Sequence, residues 1–235
     1  MYGQVVELIT NRTLILGGTS SLAQTLFRFA RDESHEITTT YRGGLCKNRD
    51  ININWLNLEL SERESVEKFL DALSDTQFNK VFFLIGAVTN RHFLEMSHSE
   101  MLRYYSTYVV NALYLLQGCL KNIKPTSSII VMSSRAGSNA SYDVHYSAAK
   151  SALEAYVRSS AGALPVNQSI IGISCGLVEN SRMFLDMKPE HRESHKNRAR
   201  GRLIAVEELC SQIWKLSDER TSVNNGKVIH VGPVY

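Results

Sequence analysis

Long apolar runs are missing from this chain. Nowhere do its 235 residues approach the ~18 uninterrupted hydrophobic side chains of a membrane span, so no membrane partner is expected. Met1-Tyr2-Gly3-Gln4 lacks the basic start and apolar core of a secretory signal. The four cysteines, Cys46, Cys119, Cys175 and Cys210, are scattered, with no C-x-x-C spacing. That argues against a zinc site or a disulfide framework, and reads as reduced thiols in a cytoplasmic protein. No metal is expected. Charge of one sign is scarce too: the formal net charge is +3. This is not the basic field of a nucleic-acid-binding protein.

What charge there is lies in one place. Between Ser181 and Arg202 stand Arg182, Lys188, Arg192, Lys196, Arg198, Arg200 and Arg202, against Asp186, Glu190 and Glu193. The stretch carries a net +4 and leaves −1 for the rest. No repeat, linker or low-complexity segment is visible. The length suits one domain over residues 1–235 with a core that needs no staples.

Apolar runs alternate with amphipathic stretches. Thr13-Leu14-Ile15-Leu16 reads as a buried parallel strand. Gly17-Gly18-Thr19-Ser20-Ser21-Leu22-Ala23 follows, and Leu22, Leu26 and Phe29 then take helical spacing. Strand, glycine turn and helix form the setting in which helix N-terminal amides hold a phosphate. Further strands are expected at Glu36–Tyr41, Ile51–Trp55, Val81–Ile85, Ser128–Met132, Ser169–Ser174 and Gly226–Gly232. Leu102, Tyr105, Val109, Ala112, Leu116 and Cys119 predict one long helix, and Val206, Leu209, Ile213 and Leu216 the last one. The alternation implies an α/β fold: a single doubly wound Rossmann-like domain, with helices on both faces of a parallel sheet of about seven strands.

Tyr146-Ser147-Ala148-Ala149-Lys150 carries the chemistry. On a helix an i,i+4 pair shares one face. A free phenol titrates near about 10, and an ammonium beside it lowers that value, making a general acid usable near neutrality. Ser134 ends a strand-like run a dozen residues earlier, and Asn111 sits within the long helix, where Asn is locally unfavourable. Ser133 rivals Ser134. His145 reads as structural, since helix neighbours face different ways. Nothing in the sequence marks Cys175 as an activated thiol.

Asn111, Ser134, Tyr146 and Lys150 in that order, after a glycine turn, resemble the short-chain dehydrogenase/reductase family over nearly the whole chain. The resemblance implies hydride transfer between a nicotinamide cofactor and a carbonyl or alcohol carbon. Tyr146 would be the acid, Lys150 would lower its pKa and hold the nicotinamide ribose, and Ser134 would polarise the substrate oxygen. Asn111 would bend its helix and hold a proton-relaying water; the bland reading is an exposed helix Asn.

The cofactor motifs depart from the family's. Its Gly-x-x-x-Gly-x-Gly is here Gly17, Ser21 and Ala23, with Thr19, Ser20 and Leu22 in the same turn. Ala23 touches only helix–strand packing. Ser21 places a side chain where backbone approaches phosphate, and its hydroxyl could donate to a phosphate oxygen. Tyr41 stands where an Asp selects NAD, and Arg42 follows, either as a fork for a 2′-phosphate or as a solvated turn residue. NADP(H) is therefore expected over NAD(H). Asn57-Leu58 resembles the pair that touches adenine. Gly86-Ala87 replaces Asn-Asn-Ala-Gly. Gly176 and Val178 belong to the turn that meets nicotinamide.

Residues 181–202 lie where the family places its substrate lid. Their charge is either a solvated face or a sign of an anionic carbonyl substrate, carrier-, phosphate- or nucleotide-linked. The family resemblance also implies a homodimer or homotetramer. Two other functions stay open: a sugar-nucleotide or sugar-phosphate enzyme, and a catalytically silent cofactor-sensing or interaction protein.

Overall fold

The computed structural model describes residues 10–43, 50–139, 141–198, 202–218 and 223–232. Cys46 and Arg200 lie outside them.

Seven strands form one sheet: β1 (Arg12–Leu16), β2 (Glu36–Tyr41), β3 (Ile53–Asn57), β4 (Phe78–Phe83), β5 (Ile123–Met132), β6 (Ser169–Cys175) and β7 (Val228–Val231). Every pairing is parallel, and the order is β3-β2-β1-β4-β5-β6-β7. The helices are α1 (Ser21–Asp32), α2 (Arg63–Ala72), α3 (His98–Tyr105), α4 (Ala112–Lys121), α5 (Val144–Ser160), α6 (Arg182–Asp186), α7 (Pro189–Arg198) and α8 (Val206–Asp218).

Strand alternation divides the core between two faces. Leu14, Leu16, Val81, Phe83, Ile129 and Val131 pack with residues of α2, α4 and α5. Ile15, Phe82, Ile130 and Ile171 pack with residues of α1 and α8. Strands buried on both faces read as continuous apolar runs, which is why the sequence shows them.

Several boundaries differ from expectation, among them the start of β5, which is Ile123 rather than Ser128. β3 is Ile53–Asn57, not Ile51–Trp55, and Ile51 is 95% exposed. The Asp50 carboxylate accepts from Asn52 N–H at 2.9 Å and its carbonyl from Ile53 N–H at 3.2 Å, so a turn occupies the expected strand start. β4 begins at Phe78 and takes in Lys80, which is buried because its ammonium lies 3.9 Å above the Trp214 ring and pairs with Asp218 at 2.5 Å. The long helix is not continuous: six residues, Ser106–Asn111, form π-type turns between α3 and α4. Such turns are inserted distortions and gather at functional sites.

Chain order reverses between β1 and β4. Leu84 N–H donates to Leu16 C=O at 3.0 Å, and beyond that bond the two strands part. A crevice opens there, at the carboxyl ends of the strands. Among the described residues no helix is long and apolar enough to cross a membrane.

Candidate active site

The crevice is a cavity of about 1140 Å³. One end is the β1–α1 turn. Gly17 has φ +99°, and its N–H donates to Thr40 Oγ1 at 2.8 Å. Gly18 N–H donates to Thr40 C=O at 3.0 Å, and a Cβ on Gly18 would collide with the Thr39 side chain. Glycine is thus required for contact between the turn and β2. Ser20 caps α1: its hydroxyl accepts from Ala23 N–H at 3.2 Å and donates to Gly17 C=O at 2.9 Å. Ala23 is buried against the sheet. Ser21 lines the cavity, and its Oγ is buried without a hydrogen-bond partner.

That unpartnered hydroxyl, in the first turn of a helix whose amides face a crevice, fits a phosphate group. Thr19, Ser20, Leu22, Tyr41, Arg42 and Leu58 line the same end. Asn57 does not line it. It closes β3, exposed, opposite Tyr41, and the chain beyond it turns Leu58, Glu59 and Leu60 to the cavity. Tyr108 comes from the π-type turns. Burial raises its pKa, while the Arg42 guanidinium beside it pulls the other way.

The other end gathers Ser134, Tyr146 and Lys150, with Gly86, Ala87, Gly176 and Val178 in the wall. Tyr146 and Lys150 are buried one turn apart on α5. Lys150 Nζ donates to Met132 C=O at 2.8 Å and to Ile85 C=O at 3.1 Å. Burial lowers its pKa to about 8. Burial also pushes the Tyr146 phenol well above its ordinary value, with the Ser134 hydroxyl beside it acting in the opposite sense. This corrects the expectation that Lys150 depresses Tyr146. Nζ stands 5.8 Å from the phenol ring centre, and burial, not the ammonium, sets the direction of the shift. Tyr146 therefore carries its proton at neutral pH, as a general acid must.

Asn111 is not in the cavity wall. It is buried, and its amide donates to Leu60 C=O at 2.8 Å. The helix is distorted where expected, but the side chain braces the β3–α2 connection. His145 is also turned away, with Nδ1 2.9 Å from Tyr105 Oη. Cys175 lines the cavity, yet burial pushes its pKa up to about 11, so it is a thiol rather than a nucleophilic thiolate. Among the described residues no cluster of three His, Cys, Asp or Glu side chains could hold a metal ion.

Residues 181–198 cross the cavity's open side. Tyr146 Oη lies 3.5 Å from Met183 Sδ, and the His191 ring stacks on Tyr142 at 4.1 Å. Of the bases Arg182, Lys188, Arg192, Lys196 and Arg202, Arg182 alone lines the cavity, paired with Asp186 at 3.3 Å. Arg192 and Lys196 lie over the Phe184 ring instead.

The loop 135–144, whose place before Tyr146 makes it an expected cleft wall, lines the cavity through Arg135, Ala136, Asn139, Ser141 and Tyr142. The sequence does not single out Tyr108 and Asn90 in the wall, or the cap that Asp143 makes behind it. Asp143 had a legible signal, since an Asp three residues before Tyr146 is a helix N-cap. Its Oδ1 accepts from Tyr146 N–H at 3.0 Å. Asn90 and Tyr108 had none, because chain topology alone brings them here.

The sheet order and the crevice at its switch point place the chain among the doubly wound α/β proteins. Residues 29–232 match the family model described as Enoyl-(Acyl carrier protein) reductase. The chain belongs to the short-chain dehydrogenase/reductase family, a family of oxidoreductases. No curated protein matches it in sequence. A short chain dehydrogenase family protein from Francisella tularensis superposes with a TM-score of 0.81 at 14% identity, covering 94% of this chain and 97% of that one. A glucose/ribitol dehydrogenase-type member from Brucella melitensis gives 0.79 at 20% identity, with 94% of each covered. L-sorbose reductase from Gluconobacter frateurii, complexed with NADPH and L-sorbose, gives 0.78 at 17%, with 95% of each covered.

Proposed function

We propose that this protein is an NADPH-dependent reductase that converts a ketone or aldehyde to an alcohol. The observation that carries the reading is one continuous cavity, with Ser134, Tyr146 and Lys150 at one end and the Ser21 hydroxyl and Arg42 at the other. The turn residues Gly17 to Leu22 would hold the pyrophosphate, and Arg42, beside Tyr108, the 2′-phosphate. The nicotinamide, once bound, supplies the hydride. Ser134 would donate a hydrogen bond to the substrate oxygen, and Tyr146 would give that oxygen its proton. Two of the three Lys150 N–H bonds are used on backbone carbonyls, leaving one for the cofactor's ribose. Asn111 enters as a positioning residue behind Leu60 rather than as the relay itself.

Residues 181–202 would act as a substrate lid, with Met183 touching Tyr146. Of their described lysines and arginines only Arg182 lines the cavity, so the lid gives little support to an anionic substrate. A structural neighbour that is complexed with NADPH and a sugar agrees with both the cofactor and a carbonyl substrate. The matched family model is described by reduction of an enoyl thioester, and that is the second reading. We place the enzyme in the cytoplasm, with reduced thiols, as a homodimer or homotetramer.

The test is calorimetry of NADPH and NADH with wild type and Arg42→Ala. Turnover of ketones and of an enoyl thioester follows, with Tyr146→Phe as the inactive control. Tight NADPH binding that falls to the NADH level in Arg42→Ala, with ketone turnover, is the expected result. Turnover of the thioester alone moves the chemistry to a carbon–carbon double bond. Binding of neither nucleotide overturns the enzyme reading in favour of a silent protein.

A further inference from the structure

One group in the cavity wall has a hydrogen bond still to make. Asn90 lies on the loop after β4 and lines the cavity. Its backbone is left-handed, φ +54°, a conformation that Asn tolerates better than most residues. Asp143, fully buried, fixes it there. Asp143 Oδ2 accepts from Thr89 N–H, from Thr89 Oγ1 at 2.8 Å and from Asn90 N–H at 3.2 Å. The other oxygen of the same carboxylate caps α5 at Tyr146. Asn90 is thereby held in register with the reacting end of the site.

The side chain is oriented as well. Asn90 Nδ2 donates to Asp186 C=O at 3.3 Å, on the helix that crosses the cavity. Only the NH₂ of an amide can donate to a carbonyl, so the bond also settles where the oxygen points. That oxygen, Oδ1, is buried and has no partner. Buried acceptors are nearly always satisfied, so this one, already buried and unpaired in the free protein, is a place for a donor that a ligand brings. The cavity is also lined by the polar residues Asn139, Ser141, Tyr142 and His191, alongside apolar ones such as Val88, Met183 and Met187.

We propose that Asn90 determines specificity by accepting a hydrogen bond from a hydroxyl that the substrate carries beside its carbonyl, so that the substrates are hydroxylated ketones or aldehydes. The inference rests on the carbonyl-reductase reading and narrows it. Oδ1 is already unpaired in the free protein, so the preference comes from the bond that only a hydroxyl-bearing substrate adds.

Hydroxyacetone and butanone differ by a hydroxyl in place of a methyl, which makes them the test pair. Their kcat/KM values with NADPH are compared in wild type, Asn90→Gly and Asn90→Asp. Glycine removes the side chain without straining the left-handed backbone, and aspartate keeps an acceptor. Wild type should favour hydroxyacetone by about tenfold or more. Asn90→Gly should bring the ratio toward one, and Asn90→Asp should retain most of the preference. A wild-type ratio near one, or an unchanged ratio in Asn90→Gly, overturns the proposal; so does an Asn90→Gly effect confined to NADPH affinity. If neither ketone is reduced, the carbonyl reading fails, and titration of both compounds into enzyme saturated with NADP⁺ decides the role of Asn90. Tighter hydroxyacetone binding that is lost in Asn90→Gly upholds that role, and equal binding overturns it.

Discussion

Gly86 and Lys150 touch so closely that a methyl group on Gly86 would stand 2.7 Å from Lys150 Nζ and 3.0 Å from Cε. The obstacle would be the end of a flexible side chain, not the backbone. Gly86→Ala should therefore displace the ammonium while leaving the sheet intact. Both Nζ bonds, to Met132 C=O and Ile85 C=O, would be lost or lengthened. We expect kcat for ketone reduction to fall by about tenfold or more, which corresponds to roughly 1.4 kcal/mol. The melting temperature should move little. Full activity in Gly86→Ala would mean that the observed position of Lys150 is not the working one.

Ser21 makes the opposite kind of prediction. Its hydroxyl is buried and unpartnered at the turn that would hold the pyrophosphate. Removing an unsatisfied group costs the free protein nothing, whereas removing a donor to a phosphate weakens binding. Ser21→Ala should therefore melt no lower than wild type, yet bind NADPH about 3- to 10-fold less tightly by calorimetry. Unchanged affinity would show that the hydroxyl does not reach the cofactor.

The parts of the site that were legible in the sequence are those fixed by covalent spacing. Tyr146 and Lys150 share one helix face, and the glycine turn joins one strand to one helix, so local rules suffice. β3 was misplaced by two residues because a slip of two preserves strand alternation; Ile51, Ile53 and Trp55 all fit the pattern, and the Asp50 turn decides between registers. Asn57 is expected at the cofactor only through the family resemblance of Asn57-Leu58; in the structure Leu58 lines the cavity and Asn57 is exposed at the end of β3. Lys80 read as a strand boundary because a lone charge in an apolar run looks external. Its partners, Trp214 and Asp218, lie far along the chain. The sign of the Tyr146 shift was missed because burial is a property of the folded site, not of spacing. Asn90 and Tyr108 reach the cavity only through tertiary topology.

Salt should separate the two ends of the cavity. Arg42 is exposed, and a 2′-phosphate held by it would be screened as ionic strength rises. KM for NADPH should therefore climb with salt more steeply than KM for NADH. The carbonyl substrate should be nearly indifferent, because Arg182 is the one described base between Ser181 and Arg202 that lines the cavity, and Asp186 already pairs with it. Steady-state kinetics over a salt series measures both. A steep salt dependence of the ketone KM would restore the anionic-substrate reading.

Lys150 should leave its mark on stability as a function of pH. Its pKa in the folded protein is about 8, lowered from 10.5 by burial. Below about pH 8 both states hold the proton, and the folded state bears the cost of a buried charge. Between about 8 and 10.5 the folded Lys150 is neutral while the unfolded one is still protonated. The unfolded state then binds more protons, so stability rises with pH through that window. The rise attributable to Lys150 is roughly 3 kcal/mol at most. Tyr146 works the other way at higher pH: its folded pKa is raised, so above about 10 the folded state holds the extra proton and stability falls. Urea melts of wild type and Lys150→Met across this range isolate the lysine. The wild type should gain on the variant as pH climbs from about 8 toward 10, because the variant has no buried charge to discharge. Parallel curves would mean that Lys150 keeps its ordinary pKa in the folded protein, and with it a charged ammonium at every pH where the enzyme works.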